Sequence, residues 1–478
     1  VVFPYRDSGN ANYGTAIAVR STYTDTNLTA TNFIGISDAA ISSGASGSVT
    51  IKGGIVSNST LLPSAVSGSA GSSVTFEPGA MAYGEAVYDT TNNKIVIAYK
   101  DDGDSGKGKA VVGTISGTSI TYGSPVEFHS AGNVQNLGMS FDSNAEKVVI
   151  AFQDNSDGSD HRGKAIVGTV SGTSISFGSV ATFKAARVES VSSVFDSSNN
   201  KTVITYTETD NSGYGAAIVG TVSGTSISFG SAVVFESNDS SSYVTAFDTT
   251  SNKVIVAYQT ASVGVLSRLL TVSGTSVSAS SSAYITGNGS TTGINGISLV
   301  YDTTAARAIV SYKDGNNSNA GTAVIGTVAG GNISFGTAAT FASNVYRTSG
   351  DKSSLYDPTT DSTVLVYRDS DDSNNGKFVT AKIAGSSLTF TSATTFETGN
   401  AATSGIAKDV DTNKILIAYT DYDASLAGKS VVVTLTEGSP ALATGSTYYV
   451  QDDGSLNTTS SSVTAGRAIG STSLLLKG

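Results

Sequence analysis

The chain has 478 residues and a formal net charge of −11, with no run of Lys or Arg. It therefore lacks the electrostatic footprint of a nucleic-acid binder, and nothing reaches the roughly 18 consecutive apolar residues that insertion into a bilayer as a helix requires. There is no cysteine, which excludes a disulfide framework and thiolate metal sites.

In chain order, 1–19 (VVFPYRDSGNANYGTAIAV) reads as a hairpin: VVFPYRD matches IVIAYKD at 95–101, and YGTAIAV matches YGAAIVG at 214–220. Its preceding turn and strand are missing, so it is a half-unit that either completes a sheet elsewhere or pairs with another chain. The start at Val1, without Met or a signal peptide, reads as processing or as part of a longer chain. Segment 27–63 carries strand-like pieces at 33–36 and 48–51 but too little apolar residue to fold alone. Its expected complement is 447–477, with strands at 448–450 and 473–476 and a hairpin signal at Asp453-Gly454. The expected division is a half-blade at 1–20, a small discontinuous β domain from 21–72 and 443–478, and a repeat array at 73–442.

The array is marked by an aspartate that opens a polar turn, at Asp89, Asp142, Asp196, Asp248, Asp302, Asp357 and Asp409, spaced by 53, 54, 52, 54, 55 and 52 residues. Such a period signals repeats. Calling the strands of each repeat a to d, strand a ends at this aspartate. Strand b follows the turn and is apolar throughout, as in IVIAY at 95–99, VVIAF at 148–152 and ILIAY at 415–419. That suits a strand covered on both faces. Strand d alternates, as in Ser174-Ile175-Ser176-Phe177, which suits one wet face. Four antiparallel strands per repeat, seven times over, predict an all-β, seven-bladed β-propeller; a strained eighth blade from 1–19 is the alternative. The seventh repeat has a poor d strand after Thr436, while Val74-Thr75-Phe76 resembles a d strand without a repeat of its own, so joining the two closes the ring.

The a–b and c–d turns are nearly uniform, whereas the b–c loops (DDGDSGKG, DNSDGSDHRG, DSDDSNNG) and the d–a connections differ from repeat to repeat. In a propeller these two loop types share a face, which makes that face the candidate binding surface. Tyr214, Tyr243, Tyr346 and Tyr422, with Asn316 and Asn374, are its candidate contacts for a glycan or protein. The acidic loops offer candidate Ca²⁺ ligands: Asp101, Asp102 and Asp104; Asp154, Asp157 and Asp160; and Asp369, Asp371 and Asp372. None has EF-hand spacing, and the competing reading is that these side chains hydrogen-bond their own turns. No other cofactor is indicated. For catalysis, His129 and His161 do not recur and read as surface histidines. The Trp that sialidase-like S-x-D-x-G-x-x-W boxes need is absent from the chain. No catalytic residue is assigned.

Repeats of the form AYxDxGNxxYGTAIVGTVSGTSISFGS, as at 151–179 and 205–231, resemble repeat proteins of marine bacteriophages, and NLTATNFIGIS, TYYVQDDGSLNTT, AGRAI and LLLKG resemble a cassette of those relatives, here split between the chain ends. The resemblance implies a tail-fibre-like or other virion-surface protein, extracellular in location, and with no catalytic residue assigned the expectation is a non-enzymatic one. Its partners would be other virion proteins, copies of itself, and a host-surface glycan or protein. Two alternatives stand beside it: a self-assembling fibre or lattice subunit that pairs through its N-terminal hairpin, and a polysaccharide-degrading propeller enzyme.

Overall fold

A computed structural model describes residues 2–6, 14–18, 35–37, 49–51, 55–57, 64–156, 158, 160–261, 264–285, 294–346, 353–440, 446–450, 456–457, 460, 463–470 and 473–476. It divides into two compact units, Gly68–Lys382 with Phe390–Leu435, and Val1–Ser67 with Ile383–Thr389 and Thr436–Gly478.

The larger unit is built from one pairing scheme. In the second repeat, strand a (Val134–Asp142) pairs with b (Lys147–Asp154), b with c (Arg162–Ser171), and c with the outer strand Ser174–Phe177, all antiparallel. The chain then bends and pairs with c a second time, Lys164 opposite Thr182 and Ala165 opposite Ala181, before running on as strand a of the next repeat. The outer strand is thus two short pieces and not the single strand the alternation suggests. Glycine sits at the bend for a steric reason: a Cβ at Gly123, Gly178 or Gly230 would stand 1.9, 1.8 or 1.9 Å from the carbonyl oxygen of Thr173, Thr225 or Thr275 in the following repeat. The a–b pairing, the b–c pairing and the second outer pairing each occur seven times among the described residues. The unit is a β-propeller.

The ends meet as Val74-Thr75-Phe76 suggests. Strand Val74–Asp89 serves two repeats: Val74, Thr75 and Glu77 lie opposite Ser430, Lys429 and Gly428 of the last, and 81–89 is strand a of the first. A Cβ at Gly71 would lie 2.0 Å from the Thr118 carbonyl oxygen, the same approach as at the other bends.

The core lies between neighbouring repeats. In strand b of the first repeat, Val96 and Ala98 pack with Val148, Ile150 and Phe152 of the second. Ile95, Ile97 and Tyr99 pack with Leu416, Ala418 and Val432 of the seventh. Both faces of the strand are covered, hence its unbroken apolar sequence. Each Val, Leu, Ile or Phe side chain among them contributes about 1.5–3 kcal/mol by leaving water.

The recurrent aspartate is buried and organises its turn. Asp196 accepts hydrogen bonds from the amides of Ser198 (2.9 Å) and Asn199 (3.0 Å), the Ser198 hydroxyl (2.7 Å) and the Asn199 side chain (2.9 Å). Asp89, Asp142, Asp248, Asp302 and Asp409 likewise accept from two turn amides each. The turns close on a left-handed residue, such as Asn93, Asn200, Asn252 or Asn413.

In the smaller unit Val2–Arg6 pairs with Gly14–Ala18 as a two-stranded sheet. Ile55–Ser57 pairs with Ser473–Leu476, which continues through Val463–Gly470 to Thr447–Val450 and Leu456–Asn457. Asp453-Gly454 lies outside the described residues.

Candidate functional site

Strands a begin at the end of the propeller where the b–c loops and d–a connections emerge, and there six of the seven are bulged. The register slips between Ala82 and Glu85, Gln135 and Gly138, Glu189 and Ser192, Ser241 and Val244, Asn295 and Ser298, and Thr403 and Gly405. Within four of the bulges a non-glycine residue takes positive φ: Tyr83 (49°), Asn136 (47°), Ser190 (50°) and Ser242 (58°). A left-handed non-glycine residue costs on the order of 1 kcal/mol or more, so four at equivalent positions are held by their surroundings. Bulges re-aim side chains. These point into a cavity of about 490 Å³, lined also by Glu85, Asp102, Thr403, Ser404, Thr420 and Tyr422.

Next to the bulge stands the residue that follows the apolar run of strand b. Lys100 Nζ lies 5.9 Å from the centre of the Tyr83 ring, Asn136 Nδ2 donates to Gln153 Oε1, and the Ser404 and Thr420 hydroxyls are 3.2 Å apart. The cavity lining mixes apolar side chains (Met81, Leu137, Val191 and Leu426) with hydroxyls, an amide, the tyrosines Tyr83, Tyr243 and Tyr422 and the carboxylates of Glu85 and Asp102, with no Lys, Arg or His. Such a surface can stack on and hydrogen-bond a polyhydroxylated ligand, and the volume is that of a ligand pocket. Tyr83, Tyr346 and Tyr422, all more than 40% exposed, come from the first, sixth and seventh repeats, three consecutive members of the ring.

The tyrosines named from sequence separate here. Tyr346 and Tyr422 are exposed, and the Arg368 guanidinium lies 3.9 Å from the first ring centre and 5.4 Å from the second. Tyr214 opens strand Tyr214–Ser223 and is half-buried. Tyr243 corrects the expectation. It is 2% exposed, packs against Phe235 and Tyr258, and its hydroxyl is 2.6 Å from Ser240 Oγ. The bulge at Ser242 turns it inward, so that it lines the cavity from within the core and is not an exposed loop contact, a rotation the loop-like string SNDSSSY does not reveal. Asn316 and Asn374 shape loops: the Asn316 amide donates to Asp314 Oδ1 (3.0 Å), and Asn374 has φ 61°.

The acidic loops are tied to lysines of strand c. Lys109 Nζ is 2.6 Å from Asp101 and 2.9 Å from Asp104, Lys164 pairs with Asp154, and Lys377 is 2.9 Å from Asp369 and 2.5 Å from Asp372. Burial opposes the charge of Lys377, but its two carboxylates prevail and push its pKa up to about 12. Asp102 pairs with Lys100 (2.8 Å) and Asp160 with Arg162. Asp371 accepts from Ser343 (2.6 Å) and Asn344 (2.9 Å), and Asp157 lies outside the described residues. Among the described residues no three acidic or histidine side chains gather to hold a metal ion.

His129 is also placed differently from the expectation of a surface histidine. It lies on the outer strand of the first repeat, against the Phe152 ring of the second, with Nε2 3.1 Å from Asp154 Oδ1. Burial alone would raise the pKa of Asp154, but hydrogen bonds from Lys164 and Ser156, together with His129, bring it down to about 2. Equivalent positions latch other neighbours: the Tyr99 hydroxyl donates to Glu77 (2.9 Å), Lys184 pairs with Glu208 (3.0 Å), the Tyr258 hydroxyl donates to Glu236 (2.8 Å), and Tyr419 bonds Glu397. His129 is one latch in this series. His161 is half-buried with φ 40°.

Sequence reasoning missed the bulge residues Tyr83, Asn136, Ser190 and Ser242, together with Arg368. The available signal was variation: Lys, Gln, Thr, Gln, Lys, Arg and Thr follow strands b that are otherwise alike.

Fold and site together define an all-β propeller with a polar and aromatic axial cavity. No family model matches the chain, and no curated protein does. Among solved structures it is similar to a leech intramolecular trans-sialidase complexed with 2,7-anhydro-Neu5Ac (9% identity, 77% of this chain and 70% of that one, TM-score 0.41). It is also similar to Sqt1 from Chaetomium thermophilum (10%, 74% and 83%, 0.44) and to the periplasmic gluconolactonase PpgL of Pseudomonas aeruginosa (10%, 66% and 86%, 0.47). This is a likeness of fold, and no activity comes with it.

Proposed function

We propose that the chain is a non-enzymatic virion appendage or decoration protein whose seven blades form a closed ring and whose axial cavity takes a host-surface glycan. The observation that carries the binding reading is the cavity itself. Its volume is about 490 Å³, its lining combines apolar side chains with hydroxyl and amide groups, and the exposed Tyr83 and Tyr422 belong to it. A concave polar and aromatic site suits sugar rings better than it suits the flat surface of a folded protein. The virion and extracellular setting draws on the likeness of the repeats to those of marine phages. Attachment to other virion proteins would fall to the terminal unit. The test is a glycan array with the full chain, followed by calorimetry on the best ligand. Tyr83→Ala and Tyr422→Ala should each weaken binding about tenfold or more at an unchanged melting temperature, in keeping with the value of aromatic contacts. Binding of no host-surface saccharide would overturn the reading.

A second reading rests on the hairpin of Val2–Arg6 and Gly14–Ala18, which among the described residues forms a sheet of two strands. An isolated hairpin is marginal in water, so a strand from another copy would complete it. Deleting 1–20 should then shift the sedimentation of the assembly towards the monomer.

A further inference from the structure

We infer that the rim formed by the sixth and seventh repeats recognises a carboxylate borne on a saccharide, with Arg368 as its anion-binding group; this rests on the glycan reading of the axial cavity. Arg368 occupies the position that follows the apolar run of strand b, one residue before the end of Ser362–Asp369, and is only 7% exposed. Its guanidinium lies over two rings, 3.9 Å from the centre of Tyr346 and 5.4 Å from that of Tyr422. Nη1 donates to Asn400 Oδ1, while Nε is buried without a hydrogen-bond partner. No carboxylate pairs with it among the described residues, and the neighbouring Asp369 is engaged by Lys377 at 2.9 Å. A second cation, Lys313, stands 5.8 Å from the same Tyr346 ring. The first repeat solves the equivalent problem internally, because Lys100 has Asp102 at 2.8 Å.

A buried guanidinium with no counter-charge is costly, and it is unexpected in a chain whose net charge is −11. An incoming anion would supply the counter-charge that the described residues do not. The edge of the guanidinium away from Asn400 carries the unpaired Nε together with Nη2, the pair that a carboxylate accepts as a fork once the rim admits it. Tyr422 also lines the axial cavity, so a chain of sugars with its acid group at Arg368 can extend inward. The ligand class is therefore an acidic, uronate-type glycan.

The test is calorimetry on the full chain with three probes: a uronic-acid hexasaccharide, the same hexasaccharide after carboxyl reduction, and a sulfated neutral hexasaccharide. The uronate should bind tightest, and carboxyl reduction should weaken it about tenfold or more, as loss of a charge-assisted fork implies. Arg368→Gln should cause the same loss for the uronate and leave the reduced probe unchanged, and Arg368→Lys should restore only part of the affinity. Because Arg368 is buried, exposed Tyr346→Ala is the companion variant, expected to weaken the uronate while melting as the parent does. Equal affinity for acid and reduced probes, or a preference for the sulfated one, overturns the inference. If saccharides bind through Tyr83 and Tyr422 regardless of their carboxyl groups, the cavity reading stands and this one falls. If none binds, both fall.

Discussion

The two ends of each repeat are made from the same strands yet treat their polar groups in opposite ways. At the a–b turns a buried aspartate satisfies several donors of its own turn, and the solution is nearly the same in every repeat. At the other end the strand is bulged, and the side chain it re-aims meets a different partner each time: Lys100, Gln153 or Thr420. A turn closed by its own aspartate tolerates little change. An end whose side chains face a shared cavity can change without unfolding the blade. Rigidity at one end permits variety at the other.

The difference can be broken from the turn side first. Asp196→Ala leaves two amides and two side chains without their acceptor and should cost about 2 kcal/mol in urea unfolding, within the range for buried groups stripped of a partner. A loss below about 0.5 kcal/mol would mean that the turn holds its shape without the carboxylate. Next comes the latch layer between the ends. Tyr258→Phe removes a 2.8 Å bond to buried Glu236 and should cost on the order of 1–2 kcal/mol by the same assay.

The latch at Asp154 gives a pH signature. Its folded pKa, about 2, lies below the ordinary value of 3.8, so the unfolded chain binds its proton first as pH falls. The stability it contributes is complete above about pH 4 and is lost towards pH 2. Unfolding midpoints of Asp154→Asn should show a shallower slope than the parent across that window, and parallel slopes would refute the coupling. The smallest effect belongs to the cavity end. Tyr83→Ala should change stability by no more than about 0.5 kcal/mol while altering ligand affinity, which sharpens the contrast with Asp196.

Much of the propeller was legible in the sequence because its causes are local or periodic. An apolar run of five residues opposite an aspartate-led turn defines strand b, and the stray Val74-Thr75-Phe76 pointed to the seam that pairs with Lys429 and Ser430. The fate of individual loop residues was not legible. Tyr243 sits among Ser and Asp yet is buried by a one-residue slip, and His129 faces the carboxylate of the next repeat 25 residues on.

By itself the sequence determined the period, the strand faces and the turn chemistry, since each depends on neighbours within a few residues. Only the tertiary structure decided which side chains enter the cavity and which cation lacks a counter-charge among the described residues. The bulges at Tyr83, Asn136, Ser190 and Ser242, and the stacking of Arg368 over tyrosines of two repeats, arise where strands from different repeats converge. That crowding is a property of the closed sheet array and of no single segment.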